Sequence, residues 1–165
     1  MLGFVAIPEE RLRLLKKNSR WRDKLKTLSD ISVEINEEVK LESDDPLMLT
    51  RAKQIFTAFG RGFEFEDALD MLDDEYLLEM IDVKSFAGDS KNRSTVLKGR
   101  VIGTRGKIKK LVEKYSDTKI AVYGKTVCIM GKWDSVRLAS KAVEMLLLGG
   151  KHSSVMRYIQ ENKNL

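Results

Sequence analysis

One cysteine in 165 residues leaves no partner for an intramolecular disulfide and no multi-cysteine zinc site. That residue, Cys128, is flanked by apolar neighbours in TVCIMG and is expected as a buried core thiol. A single histidine, His152, has no visible acid or nucleophile partner, which argues against a catalytic role. Paired carboxylates, metal-ligand spacing and nucleophile–base patterns are missing too, so neither a catalytic residue nor a metal or other cofactor is expected. No apolar run approaches the roughly 20 residues that span a bilayer. The longest, VEMLLLGG, contains Glu144 and closes on Gly149 and Gly150. The opening MLGFVAIPEER has no basic flank before its apolar residues and does not read as a signal peptide. The expectation is a soluble, cytoplasmic protein without membrane contact. Its hydrophobic share, 42%, is enough for a packed core.

Charge is present, and unevenly. The net value is +5. Residues 1–60 carry 11 Lys/Arg against 10 Asp/Glu, residues 61–93 carry 4 against 10, and residues 94–165 carry 15 against 5. A basic final segment suits a polyanionic partner. The acidic middle stretch suits solvation or the docking of a protein.

The chain also repeats an order of elements. In the second half, EYLLEMIDV (75–83) reads as a strand and SFAGDSKNRS as a polar loop. TVLKGRVI (95–102) has helical spacing of its apolar residues. KIKKLVEKYS places Ile108, Leu111 and Val112 on one face and lysines on the other. TKIAVYGKTVCIM is a hairpin turning at Gly124. DSVRLASKAVEMLLLGG is a long helix with Asp134 as its expected N-cap. The first half runs in the same order: FVAI, EERLRLLKK opened by Pro8, RWRDKLKTLS, ISVEI, VKLES, and a long helix near Pro46 that stops at Gly60 and Gly62. An acidic helical piece, EFEDALDMLDDE, follows. SSVMRYIQENK is an amphipathic tail helix that either packs on a sheet edge or docks on a partner.

One segment differs between the halves. The second has Gly103-Thr104-Arg105-Gly106; the first has Lys16-Lys17-Asn18-Ser19 at that place. A helix N-terminus presents unpaired N–H groups and partial positive charge, where anions sit readily. Glycine clears the approach and permits unusual φ values. Thr104 and Arg105 form an exposed crest between the glycines, and Lys107, Lys109 and Lys110 add Coulomb attraction. The arrangement suits a sugar-phosphate chain. Val101, Ile102 and Ile120 are the candidates for an aliphatic groove that takes bases, since Tyr123 is the only nearby ring. It is not a P-loop, because Val101 stands five positions before Gly106 and Ile108 follows Lys107.

Set between two short helices in this order, RVIGTRGKIKKL resembles the signature of a type I KH domain covering 75–150. The first unit (1–62) looks like a second KH domain that has lost its loop. The resemblance implies an α+β fold of two tandem KH domains, each a three-stranded antiparallel sheet with helices on one face, joined by an acidic helical linker (63–74) and followed by a tail helix (151–165). AFGRGF, GRVIGTRGK, VYGKTVCIMG and HSSVMRYI are similar to archaeal two-KH proteins related to a eukaryotic small-subunit ribosome-assembly factor, the partner of the rRNA-cleaving endonuclease. What this implies is a loop that clamps about four nucleotides of single-stranded RNA, here the 3′ region of small-subunit rRNA. The residues implied are Arg100 to Lys107 with Lys109, Lys110 and Ile120. An rRNA endonuclease or an initiation factor is the implied protein partner, and a scaffold that recruits such proteins is the alternative. The extended acidic N-terminal tail and long C-terminal extension of some relatives are not seen, so contacts made by such tails are not carried over. Lys16 and Lys17 either touch phosphate or are merely solvated. Gly60 and Gly62 are expected to be structural, with Arg61 the one RNA candidate beside them. Trp21 and Trp133 are expected to pack.

Overall fold

The computed structural model describes residues 1–163, and the last two positions of the expected tail helix lie outside them. The chain forms two compact units, Met1–Asp74 and Glu75–Leu165.

The first unit begins with β1 (Leu2–Val5), followed by α1 (Glu9–Lys17) and α2 (Arg20–Leu28). β2 (Ser32–Ile35), β3 (Val39–Glu42) and α3 (Pro46–Gly60) complete it. The sheet order is β1-β3-β2, antiparallel throughout, with Leu41 facing Gly3 on one side and Val33 on the other. Alternation along β3 buries Val39 and Leu41 completely, as a half-covered strand requires. Pro46 opens α3 while the Asp45 carboxylate accepts the Leu47 N–H at 3.0 Å, so one orphan donor of the first turn is capped. The acidic stretch after α3 is not a free linker. It forms α4 (Phe65–Ala68) and a 3-10 turn (Leu69–Leu72). Phe65 holds it down, its ring 5.5 Å from those of Trp21 and Phe56 and 6.0 Å from Phe59. Burying such a ring contributes about 2 kcal/mol, and the buried Ala68 and Met71 add to it. Trp21 is buried as expected and donates its indole N–H to the Leu15 carbonyl.

The second unit repeats the order. It runs through β4 (Tyr76–Asp82), the one-turn α5 (Lys84–Ala87), α6 (Lys91–Ile102) and α7 (Lys107–Ser116). Then come β5 (Lys119–Tyr123), β6 (Thr126–Lys132), α8 (Trp133–Leu147) and α9 (His152–Asn162). The strand order β4-β6-β5 matches that of the first sheet. Gly124, at φ 54°, makes the two-residue turn between β5 and β6 possible. Ile81, Ile120, Val127 and Ile129 of the sheet join Leu97, Val101, Ile108, Val112 and the apolar face of α8 in one core. Cys128 is fully buried.

Four local expectations need correction. The polar stretch 85–94 is not all loop: α6 starts at Lys91, because the Ser90 hydroxyl accepts the Arg93 N–H and caps it. α8 starts at Trp133, so Asp134 lies inside its first turn rather than capping it. Trp133 consequently faces outward, 58% exposed, with the Arg137 guanidinium 5.9 Å from its ring. The tail helix buries Val155 and Ile159 and packs on α7 and α8, not on a sheet edge.

Candidate nucleic-acid interface

Three of the four residues in the loop after α6 have positive φ. Gly103 (φ 74°, ψ 177°) stops α6 and donates its N–H to the Gly99 carbonyl at 2.8 Å. A Cβ on Gly103 would lie 2.4 Å from Ile108 Cγ1 and 2.9 Å from the Ile108 nitrogen, so the next helix can approach only a bare backbone. Arg105 (φ 56°, ψ 28°) and Gly106 (φ 73°, ψ 14°) are left-handed. The Gly106 N–H closes a turn onto the Gly103 carbonyl at 3.2 Å, and α7 restarts at Lys107. Gly106 has room for a Cβ, with the nearest atom 3.9 Å away, so only its φ demands glycine. The result is a tight, exposed crest of Thr104 and Arg105 at the mouth of α7.

The expected site residues separate by burial and by pairing. Thr104, Arg105, Lys107 and Lys110 are exposed, and among the described residues none of the three cations is in an ion pair. Lys109 is already engaged: its ammonium is 3.2 Å from the Glu113 carboxylate, whose other oxygen accepts the Ile120 N–H at 3.0 Å. Val101 and Ile120 are core residues, 1% and 4% exposed, and cannot line a groove for bases. Both point into the layer between sheet and helices, which their helical and alternating spacing did not distinguish from a surface groove. Ile102 on α6, and Val122 and Tyr123 on β5, are half-buried and keep some surface.

Arg100 also leaves the set. Its Nε donates to the Leu146 carbonyl at 2.8 Å and its Nη2 to the Gly150 carbonyl, so the guanidinium ties α6 to the end of α8. Sequence reasoning missed Lys98, whose ammonium donates to the Gly124 carbonyl at 2.9 Å and joins α6 to the hairpin turn. Lys84, Lys91, Lys98 and Lys125 line a cavity of about 420 Å³ there. The signal was available: Lys98 lies in the helix that leads into the glycine loop, five residues before Gly103.

The corresponding loop of the first unit has no left-handed residue. Asn18 (φ −130°) and Ser19 (φ −94°) link α1 to α2, and the Asn18 side chain accepts the Arg20 N–H at 3.1 Å. Lys16 and Lys17 stay exposed beside it. Gly60 and Gly62 are structural: a Cβ at Gly60 would lie 2.6 Å from Ile7, and Gly62 has φ 107°. Arg61 caps α3 through its backbone N–H. Among the described residues no group of three or more His, Cys, Asp or Glu side chains could hold a metal ion, and no helix is long and apolar enough to cross a membrane.

A three-stranded antiparallel sheet backed by helices, with a glycine-bracketed turn between the first two long helices, defines a KH-like α+β fold. Residues 77–164 match the family model of the eukaryotic-type KH domain, KH-domain type I. A KH domain-containing protein of Methanocaldococcus jannaschii is 35% identical over 169 residues, an alignment covering 98% of this chain and 74% of that protein. The chain belongs to the PNO1-type family of KH proteins. The pre-rRNA-processing protein pno1 of Schizosaccharomyces pombe is 34% identical over 128 residues, which are 75% of this chain and 51% of that longer protein. A chain of the crystal structure of the a/eIF2alpha–aDim2p–rRNA complex from Pyrococcus horikoshii superposes with a TM-score of 0.88 at 30% identity, covering 99% of this chain and 94% of that one.

Proposed function

We propose that the chain consists of two tandem type I KH domains and is an RNA-binding protein of small-subunit ribosome maturation, with no catalytic step of its own. The second domain grips single-stranded rRNA through Gly103–Gly106, and the first, lacking the left-handed loop, serves as a buttress. The loop carries this reading: a left-handed crest exposing Thr104 and Arg105, flanked by the unpaired ammonium groups of Lys107 and Lys110. A phosphate backbone can approach such a crest closely, and the cations supply a charge-driven share of affinity. The relatives support the setting, since one is named for pre-rRNA processing and a structural neighbour comes from a complex with rRNA. The 3′ region of the small-subunit rRNA is the ligand this reading favours. Replacing Thr104 and Arg105 with aspartate should preserve the fold and weaken RNA binding at least tenfold, or about 1.4 kcal/mol. Unchanged affinity in a fluorescence titration would remove the loop from the mechanism.

One observation favours a second, compatible role. The same neighbouring complex contains an initiation-factor subunit, a/eIF2alpha. The chain therefore also acts as an adaptor between rRNA and a protein such as an initiation factor or an rRNA endonuclease. Pull-down before and after RNase treatment separates the roles: partners that survive digestion contact the protein directly.

A further inference from the structure

The glycine loop has a second side, and α9 stands on it. Between them lies a cavity of about 710 Å³. Thr104, Arg105 and Lys107 form one wall; His152, Ser153 and Met156, from the first turns of α9, form the other. Ile108 and Leu111 of α7 complete the lining. α9 is a fixed wall, because Val155 and Ile159 on its inner face are completely buried against α7 and α8.

The lining is chemically specific. It has two cations and no carboxylate, two hydroxyls, an imidazole, and the apolar surfaces of Leu111 and Met156. A second cavity of this unit, about 450 Å³ beside Trp133, mixes the carboxylates Glu79, Asp134 and Glu144 with the cations Arg137 and Lys141, so it has no excess of positive charge for a phosphate. The cleft at the loop has cations alone. Arg105 and Lys107 suit a phosphate, the thioether and Leu111 suit the face of a base, and Ser153 and His152 suit base edges or a 2′-hydroxyl. Its volume lies within the roughly 300–1,000 Å³ of ligand pockets.

We propose that this cleft seats the nucleotide flanking the stretch held by the loop, so that His152, Ser153 and Met156 extend the RNA site onto α9. The proposal rests on the RNA-binding reading above. The test is a competition titration of the full chain with random-sequence oligoribonucleotides of about four and about eight nucleotides, the first matching the four that a KH loop clamps and the second exceeding it. The wild-type protein gains affinity with length. The double substitution His152→Ala, Ser153→Ala lowers affinity for the longer set about three- to tenfold, leaving the shorter set within about twofold. Both positions are exposed, and alanine favours a helix, so the fold is retained. Ser153→Glu, which puts negative charge into the cleft, reproduces the selective loss. Equal binding of the longer set by wild type and variants, no gain with length, or an equal loss at both lengths overturns the proposal. The loop variant Thr104→Asp, Arg105→Asp weakens both lengths; if it weakens neither, the loop-centred RNA-binding reading on which the proposal rests falls.

Discussion

Arg11 and Arg100 perform the same task in the two units from positions one helical turn apart. Each guanidinium uses Nε and Nη2 to hold two carbonyls four residues apart at the end of the long helix. The acceptors are Phe59 and Phe63 in the first unit, and Leu146 and Gly150 in the second. Phe59 and Leu146 lie in the last turns of α3 and α8, where the i+4 donor is missing and only a turn N–H, from Gly62 or Gly149, also reaches the carbonyl, while Phe63 and Gly150 follow the helix ends. Arg11 also lies 4.2 Å from the Phe59 ring centroid, and burial holds its pKa below the ordinary arginine value, with Glu64 and Glu10 acting in the opposite direction. Arg11 sits six residues before the end of α1 and Arg100 two before the end of α6, so aligning the repeats does not bring them together.

For Arg100 this relationship predicts a stability effect without a binding effect. Arg100→Ala should cost about 2–4 kcal/mol, for losing two hydrogen bonds donated by a charged group, one of them to a Leu146 carbonyl that keeps the Gly149 N–H as a second partner. Arg100→Lys should cost nearly as much, since an ammonium lacks the planar fork. Urea denaturation reads the loss, and titration of the folded fraction should give unchanged RNA affinity. A variant of wild-type stability but weaker binding would return Arg100 to the interface.

The two loop glycines should respond differently to the same substitution. Gly103→Ala combines a positive φ with a clash against the backbone and branched side chain of Ile108, and should cost about 2–4 kcal/mol. Gly106→Ala meets open space and should cost only about 1–2 kcal/mol, from its φ alone. Thermal melts of the two variants check the ranking. Equal losses would mean that the Gly103–Ile108 approach relaxes easily.

What the sequence shows clearly is local. Proline and glycine punctuation, helical spacing and the missing glycines of the first loop gave the element order, because each depends on residues close in the chain. What it hides is depth and partnership. Val101 and Ile120 have the spacing of a groove and of a core alike, and only the packing of α6 against α8 and of β5 against α7 decides between them. Arg100 is one basic residue among several, and its carbonyl partners lie 46 and 50 residues away. Trp133 looked like a core residue by type, yet α8 begins at that position and turns the ring outward. Lys109 is the exception. Glu113 four residues later is an ion-pair signal legible in the sequence itself.

Arg105 pays a backbone penalty in its left-handed conformation that glycine would not. Arg105→Gly should therefore leave stability unchanged or raise it by about 0.5–1 kcal/mol, after the greater chain entropy of glycine is subtracted. RNA affinity should fall at the same time, because the crest loses its charge and its fork of donors. Paired melting and titration experiments test this opposition. A variant that both melts lower and binds as well would show that the Arg105 side chain supports the loop rather than its ligand.

The lysines after the loop should differ in salt dependence. Lys107 is exposed and outside any ion pair among the described residues, whereas Lys109 is held by Glu113 and already partly neutralised. A cation that releases counterions from single-stranded RNA contributes about 0.7 to the slope of log affinity against log salt. Lys107→Ala should lower that slope by about this amount, while Lys109→Ala should change it by less than about half as much. Affinities measured across a series of potassium chloride concentrations give both slopes. Equal changes would show that Lys109 leaves Glu113 when RNA binds. The Glu113 carboxylate would then keep its hydrogen bond from the Ile120 N–H, and Glu113→Ala should loosen β5 from α7 without altering the slope due to Lys107.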